Sequence, residues 1–103
     1  MASSEVSPPR FPASDVFSHH PEVCAAELDG ELCLFHPVTA QYLNLNATGS
    51  AIWRLLEQPF SREALVAALM DDYDVEEAHC RLETDQFLAD ALAASMLEQT
   101  GAA

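Results

Sequence analysis

The chain has 103 residues, half of them apolar, and its 17 acidic residues face four arginines and no lysine, for a formal net charge of −13. This length allows one domain with a modest core and excludes a second domain. The negative field repels nucleic-acid phosphates and anionic membranes; it attracts basic partners, or it serves solubility alone. No run of about 18 apolar residues and no signal peptide is present, which predicts a cytoplasmic chain without a membrane segment.

The first 20 residues are rich in serine and proline and show no apolar periodicity. This composition is typical of a solvated linker, so we expect residues 1–20 to form a disordered tail. His19 and His20 end this tail, and a metal site there would need at least one more ligand. The sequence therefore predicts a folded domain over residues 21–98 and a short disordered end over residues 99–103.

Two short apolar runs, VCAAEL and ELCLFH, flank Asp29 and Gly30. Asp-Gly between such runs indicates a two-residue β-hairpin turn. In that register Cys24 faces Phe35 and Ala26 faces Cys33, so the two cysteines are diagonal neighbours and lie too far apart for a disulfide. Together with the odd number of cysteines, this predicts reduced thiols in a cytoplasmic protein.

A third strand is predicted for Gln41 to Leu45, where Leu43 and Leu45 alternate with the more polar Tyr42 and Asn44. A three-stranded meander places this strand at the edge of the sheet. The outer backbone groups of an edge strand lack partners unless another segment covers them. We therefore expect a docking site at this edge.

Three helices follow, with Asn46, Ser61 and Asp74 as their predicted N-caps. The third helix is the longest, and its apolar residues continue to Leu97. It carries two apolar stripes, which leaves open whether the second stripe lines a groove or is also buried. One stripe comprises Cys80, Thr84, Phe87, Leu88 and Ala91, and the other comprises Leu82, Ala89, Leu92 and Met96.

The sequence shows no arrangement of residues that is typical of an enzyme active site. His36 and His79 have no partnered serine or cysteine and are predicted to be surface residues. The run DDYDVEE lacks the alternating oxygen ligands and the central glycine of a calcium loop. The sequence thus predicts no catalytic residue, no metal site and no cofactor.

The run DGELCLFHPVTAQYLNLNATGSAIWRLL, followed by ALVAALMDDYDVEEA and QFLADALAASML, resembles the PqqD family of peptide-modification chaperones. The similarity extends from Val23 to Leu97. Its most specific part runs from Tyr42 to Trp53, where Tyr, Leu-Asn, Ala-Thr-Gly and Ile-Trp stand in the family's order.

The resemblance implies an α+β, winged-helix-like fold in which a three-stranded antiparallel sheet precedes three helices. It also implies a non-catalytic domain that binds the leader segment of a ribosomally made precursor peptide as an added strand. The modifying enzyme that receives the peptide would be a radical-SAM protein, as in pyrroloquinoline quinone synthesis, or a protease and cyclase, as in lasso peptide synthesis. The peptide-binding residues would be Gln41, Tyr42, Leu43, Asn44 and Leu45 of the strand, with Leu82, Asp85, Ala89 and Leu92 of the third helix.

Two positions depart from the family pattern. Ser95 replaces the glycine that usually ends the last helix, and Ala91 replaces a larger apolar residue. A winged helix can also bind DNA, but residues 57–98 hold eleven acids and only two arginines, which opposes that function. An adaptor that binds a folded protein instead of a leader peptide remains the main alternative, and the chain is expected to be a monomer or a weak edge-strand dimer.

Overall fold

The computed structural model describes residues 15–101. Its elements follow one another as β1 (Val16–His19), β2 (Cys24–Leu28), β3 (Glu31–His36), β4 (Gln41–Asn44), α1 (Ala47–Leu55), β5 (Phe60–Ser61), α2 (Arg62–Asp72), α3 (Glu77–Ala93) and β6 (Leu97–Thr100). An antiparallel sheet of order β2-β3-β4 precedes three helices, which confirms the predicted α+β fold. A second antiparallel sheet of order β5-β1-β6 was not predicted.

The hairpin formed by β2 and β3 has the predicted register. Cys24 pairs with Phe35, and Ala26 pairs with Cys33. Asp29 and Gly30 both have positive φ, 56° and 85°, which is the geometry of the two-residue turn that suits the twist of a hairpin. The cysteines are free thiols, as predicted.

The strands β1 and β6 correct the predicted domain limits. Val16–His19 was assigned to the N-terminal tail, and residues 99 and 100 to the C-terminal end, but the two segments pair from Val16–Thr100 to His19–Leu97. Phe17 is fully buried, and the His19 ring stacks on the Trp53 ring with centroids 3.6 Å apart. These strands come from opposite ends of the described chain, so no local pattern marks their pairing. The rest of the predicted tails, residues 1–14 and 102–103, lies outside the described residues.

The first two helices begin as predicted. The Asn46 side chain accepts a hydrogen bond from the Gly49 N–H at 2.8 Å, and the Ser61 hydroxyl accepts one from the Ala64 N–H at 3.1 Å. Each bond satisfies one of the N–H groups that the first turn of a helix leaves unpaired.

The limits of the third helix were predicted wrongly at both ends. Its N-cap is Glu76, which makes no side-chain capping bond, rather than Asp74. The helix ends at Ala93 because Ser95 adopts a positive φ of 61° and turns the chain into β6. That is the left-handed conformation that glycine adopts without strain, so the family's usual glycine at this position has a physical reason.

The core lies between the inner side of the β2-β3-β4 sheet, the three helices and β1. The first predicted stripe of α3 is buried, whereas Leu82 of the second stripe is 62% exposed. His36 was predicted to be a surface residue, but it is only 3% exposed, and its Nδ1 accepts a hydrogen bond from the Val38 N–H at 3.2 Å. Within residues 15–101, no helix combines the length and the hydrophobicity that crossing a membrane requires.

Replacing Phe17 by alanine tests whether β1 belongs to the folded domain. We expect Phe17→Ala to lower the free energy of unfolding by about 3–5 kcal/mol, the usual cost of removing a fully buried phenylalanine side chain. Urea denaturation followed by tryptophan fluorescence measures this change, and Ser18→Ala in the same strand is the control. A Phe17→Ala protein as stable as the control would contradict the assignment.

Candidate functional site

The strand β4 forms one edge of the β2-β3-β4 sheet, and no other strand of residues 15–101 pairs with its outer side. The Leu45 N–H donates to the Leu32 carbonyl at 2.8 Å. Because hydrogen-bonded and non-hydrogen-bonded pairs alternate in an antiparallel ladder, Leu43 bonds inward to β3. The N–H and C=O groups of Tyr42 and Asn44 therefore point to the open edge. They can pair with one further strand.

A groove of about 150 Å³ lies beside this edge, between the β4-α1 segment and α3. Phe87 is an apolar side chain on its helical wall, and Glu83 and Asp90 place carboxylates on the same wall. The lining residues are Leu43, Asn44, Leu45, Asn46, Thr48, Gly49, Glu83, Gln86, Phe87 and Asp90. The groove thus combines apolar side chains with negative charge, next to unpaired backbone groups.

Gly49 lets α1 approach α3 closely at the base of the groove. A Cβ atom at this position would lie 3.3 Å from Asn46 Oδ1, 3.4 Å from Leu45 Cβ and 3.5 Å from the Phe87 ring. The first of these contacts is tighter than ordinary van der Waals packing, so a side chain here would push on the helix cap. The Ala-Thr-Gly of the sequence motif therefore helps to bring the edge strand and α3 together.

The edge-strand residues predicted from sequence come together at this site. Leu43, Asn44 and Leu45 line the groove, and Tyr42 presents backbone groups to the open edge. Gln41, at the first position of β4, pairs with His36 and lies outside the groove lining. The observed strand ends at Asn44, one residue before the predicted end at Leu45.

The predicted residues of the third helix lie elsewhere. Leu82, Asp85, Ala89 and Leu92 are absent from the groove lining. Successive helix residues are rotated by about 100°, so Asp85 lies about 200° around the helix from Glu83, on the opposite side. Leu92 packs against the core. Sequence reasoning missed Glu83, Gln86 and Asp90. Glu83 and Asp90 lie four and three residues from Phe87, and Gln86 lies three and four residues from Glu83 and Asp90, so the spacing places them on one side of the helix.

Asp85 is paired within the chain. Its carboxylate accepts two hydrogen bonds from the Arg62 guanidinium, from Nε to Oδ1 and from NH2 to Oδ2 at 2.9 Å. The bond to Asp85 raises the pKa of Arg62 above its ordinary value, against the opposing effect of burial. Two parallel charge-assisted bonds are strong and directional. They fix the start of α2 on the side of α3 away from the groove.

A network of surface ion pairs continues from the Arg62–Asp85 pair. The Glu63 carboxylate accepts from Arg62 and Arg81, both at 2.8 Å, and Arg81 also donates to Glu77 at 2.9 Å. The hydrogen bond from Arg81 lowers the pKa of Glu63 below its ordinary value. Three of the four arginines of the chain, Arg54, Arg62 and Arg81, are engaged with carboxylates. The carboxylates on the groove wall have no arginine partner among these described pairs.

A second cavity of about 260 Å³ adjoins the groove and shares Thr48 and Glu83 with it. Its walls include Leu69, Tyr73 and Val75, at the end of α2 and in the connection to α3. This cavity is more apolar than the groove. No group of three or more His, Cys, Asp or Glu side chains within the described region is arranged to hold a metal ion.

A three-stranded sheet with an open edge, set beside a helix-lined groove on three helices, defines a winged-helix-like binding domain. The chain belongs to the PqqD family, because the family model described as "Coenzyme PQQ synthesis protein D (PqqD)" matches residues 31–97. A search of the curated proteins finds no match.

Two solved structures are similar to this chain. The structure "TbiB1 in Complex with the TbiA(beta) Leader Peptide" is 32% identical, with a TM-score of 0.69, and the match covers 79% of this chain and 94% of that one. The structure "Lasso peptide synthetase B1 complexed with the leader peptide" is 22% identical, with a TM-score of 0.67, over 80% of this chain and 96% of that one. At 22% identity, the second similarity shows only that the two chains share a fold.

Replacing Asp85 tests its structural role. We expect Asp85→Asn to lower the free energy of unfolding by about 1.5–3 kcal/mol, the range for hydrogen bonds to charged groups, since the Arg62 pair is largely shielded from solvent. Asp90→Asn, at an exposed position of the same helix, is the control and should change stability little. Equal stability of the two variants in urea denaturation would contradict the structural role of Asp85.

Proposed function

We propose that the chain binds the leader segment of a ribosomally made precursor peptide and presents that peptide to a modifying enzyme, without catalysing a reaction itself. The observation that carries the proposal is the open edge of β4 lying directly beside the groove. The similarity to TbiB1, whose structure contains a leader peptide, supports the same function. Family membership supports the same function.

Strand addition explains how such a site binds a peptide. The N–H and C=O groups of Tyr42 and Asn44 would hydrogen-bond to the peptide backbone, which gives affinity that depends little on sequence. Alternate side chains of the added strand point to the same face of the sheet, so every second residue would enter the groove next to Phe87. Specificity would come from the fit of those side chains.

The negative charge of the groove wall indicates which peptides would bind best. Glu83 and Asp90 lie on the groove wall of a protein with a net charge of −13. A peptide with a basic side chain facing α3 would pair with these carboxylates, and the overall field would speed its encounter. The adjoining 260 Å³ cavity would take an apolar side chain from the part of the peptide that extends past Thr48.

The proposal keeps the sequence-predicted strand residues and changes the helix residues. Tyr42, Leu43, Asn44 and Leu45 remain peptide-binding positions, with Gln41 at the end of the strand. On α3, the contacts proposed here replace those predicted from sequence, because only residues that line the groove can touch a peptide bound in it. The replaced residues are Leu82, Asp85, Ala89 and Leu92, and the residues that line the groove are Glu83, Gln86, Phe87 and Asp90.

DNA binding is disfavoured by the charge of α3. This helix carries four acids, Glu77, Glu83, Asp85 and Asp90, and a single arginine, Arg81, which is already paired with Glu63 and Glu77. A helix that enters the major groove needs Lys or Arg to neutralise phosphates. An adaptor that binds a folded protein would need no open strand edge beside a groove, so the geometry favours a peptide.

A titration tests the proposed function directly. The chain is added to fluorescently labelled leader peptide from the precursor encoded beside it, and anisotropy is recorded. We expect saturable binding with a Kd in the micromolar range or tighter, and loss of binding when the leader sequence is scrambled. The TbiA(beta) leader serves as a second probe, because the chain resembles TbiB1. A flat curve with both leaders would refute leader recognition and favour the adaptor.

A proline substitution tests strand addition separately. Asn44→Pro removes an N–H that points to the open edge and leaves the β3-β4 bonds of Leu43 and Leu45 in place. We expect leader affinity to fall at least about tenfold, the effect of losing roughly 1.4 kcal/mol of binding free energy. Asn44→Ala keeps the N–H and is the matched control. If both variants bind the leader equally well, the edge does not pair with the peptide.

A further inference from the structure

The side chains of the β2-β3-β4 sheet divide into two faces, because successive residues of a strand point to opposite sides. One face carries Leu32 and Leu34 in the core and Leu43 packed against it. The opposite face is termed the outer face. By register, it comprises Cys24, Ala26, Leu28, Glu31, Cys33, Phe35, Tyr42 and Asn44, six of which belong to the hydrophobic class.

Within residues 15–101, the outer face is open to solvent. Leu28 is 75% exposed and Tyr42 is 68% exposed, and every residue of β2 is exposed. The Phe35 and Tyr42 rings contact each other across the strands, with centroids 4.6 Å apart. An antiparallel sheet that packs one face on the core normally carries polar side chains on the other. A contiguous apolar face in its place marks an interaction surface.

The charge around the outer face indicates the kind of partner. In a chain with 17 acidic residues, Glu31 is the single acid of this face, and it lies at the end next to Asp29 in the hairpin turn. The surface therefore fits a protein with an apolar patch bordered by basic side chains. A second copy of this chain fits poorly, because it would bring another net charge of −13 into contact.

The outer face is continuous with the proposed peptide site. Tyr42 and Asn44 contribute their side chains to the outer face and their backbone groups to the open edge. A peptide strand added at β4 would widen the sheet, and every second peptide side chain would join the outer face beside Tyr42 and Asn44. A protein seated on this face would therefore touch the chain and the bound peptide at once.

From these observations we propose that the outer face docks the enzyme that modifies the bound peptide. The inference rests on the proposed function, since it needs the peptide at β4. Docking here leaves the groove and α3 on the other side of the sheet for the peptide. The enzyme would recognise a composite surface that is complete only when the peptide strand is present.

A matched pair of substitutions in β2 tests this inference. Ala26→Glu places a charge in the middle of β2 on the outer face, and Ala25→Glu makes the same change at the next residue, which is also exposed but points to the opposite face. The chain is loaded with the precursor and immobilised, and the purified modifying enzyme encoded beside that precursor is titrated by biolayer interferometry. We expect Ala26→Glu to weaken enzyme binding at least about tenfold and Ala25→Glu less than about twofold.

Leader binding by the same variants separates this inference from the proposed function. Both variants should bind labelled leader with the Kd of the unmodified chain, because neither residue lies at the β4 edge. If the unmodified chain does not bind leader, the proposed function fails. If leader binds but the enzyme binds both variants equally, or does not bind the loaded chain, the docking inference alone is overturned. Sedimentation of a dimer that only Ala26→Glu dissociates would make the outer face a self-interface and also overturn it.

Discussion

The connection from β4 to α1 holds the site in place. It has only two residues, Leu45 and Asn46, and both are fixed by hydrogen bonds, Leu45 to the Leu32 carbonyl and Asn46 to the Gly49 N–H. So short a connection, with both residues hydrogen-bonded, restricts how far α1 can shift relative to the edge strand. Gly49, which lacks a Cβ, then allows the Phe87 ring of α3 to pack against the same segment. The open edge and the groove wall are thereby held at a fixed separation.

The rotation of α3 about its own axis decides which side chains the groove presents. The paired hydrogen bonds between Arg62 and Asp85 hold one side of the helix against the start of α2, while Leu88 and Ala91 are fully buried. Glu83 and Phe87 consequently face β4. The Arg62–Asp85 ion pair thus helps to set the orientation of the groove wall from the opposite side of the helix.

Negative charge and exposed apolar surface lie on different sides of this small domain. Carboxylates are concentrated around the helices and on the groove wall, whereas the outer face of the sheet is almost uncharged. A basic, partly apolar peptide and a folded protein would therefore meet different surfaces of one chain, joined at the single strand β4. In the two proposed interactions, Tyr42 and Asn44 would use their backbone groups to bind the peptide and their side chains to contact the folded protein.

The local features of the fold were predictable from sequence. The Asp29-Gly30 turn fixes the hairpin register, Asn46 and Ser61 cap their helices, and the alternation of Leu43 and Leu45 identifies the edge strand. Each of these depends on residues a few positions apart, whose preferences are set by dihedral angles and nearby hydrogen bonds. The order Tyr42 to Trp53 also identified the family, because these same residues build the junction between the edge strand and α1.

The tertiary structure decided what depends on distant contacts. The pairing of β1 with β6 joins both ends of the described chain, and neither VFSH nor LEQT alternates apolar and polar residues as a half-buried strand would. The second stripe of α3, from which Leu82, Ala89 and Leu92 were predicted as contacts, could have faced either side. Periodicity shows which residues share a face of a helix, but the direction of that face depends on its packing partners. Here the contacts of Arg62 and Gly49 turn Glu83, Phe87 and Asp90 towards the open edge of β4.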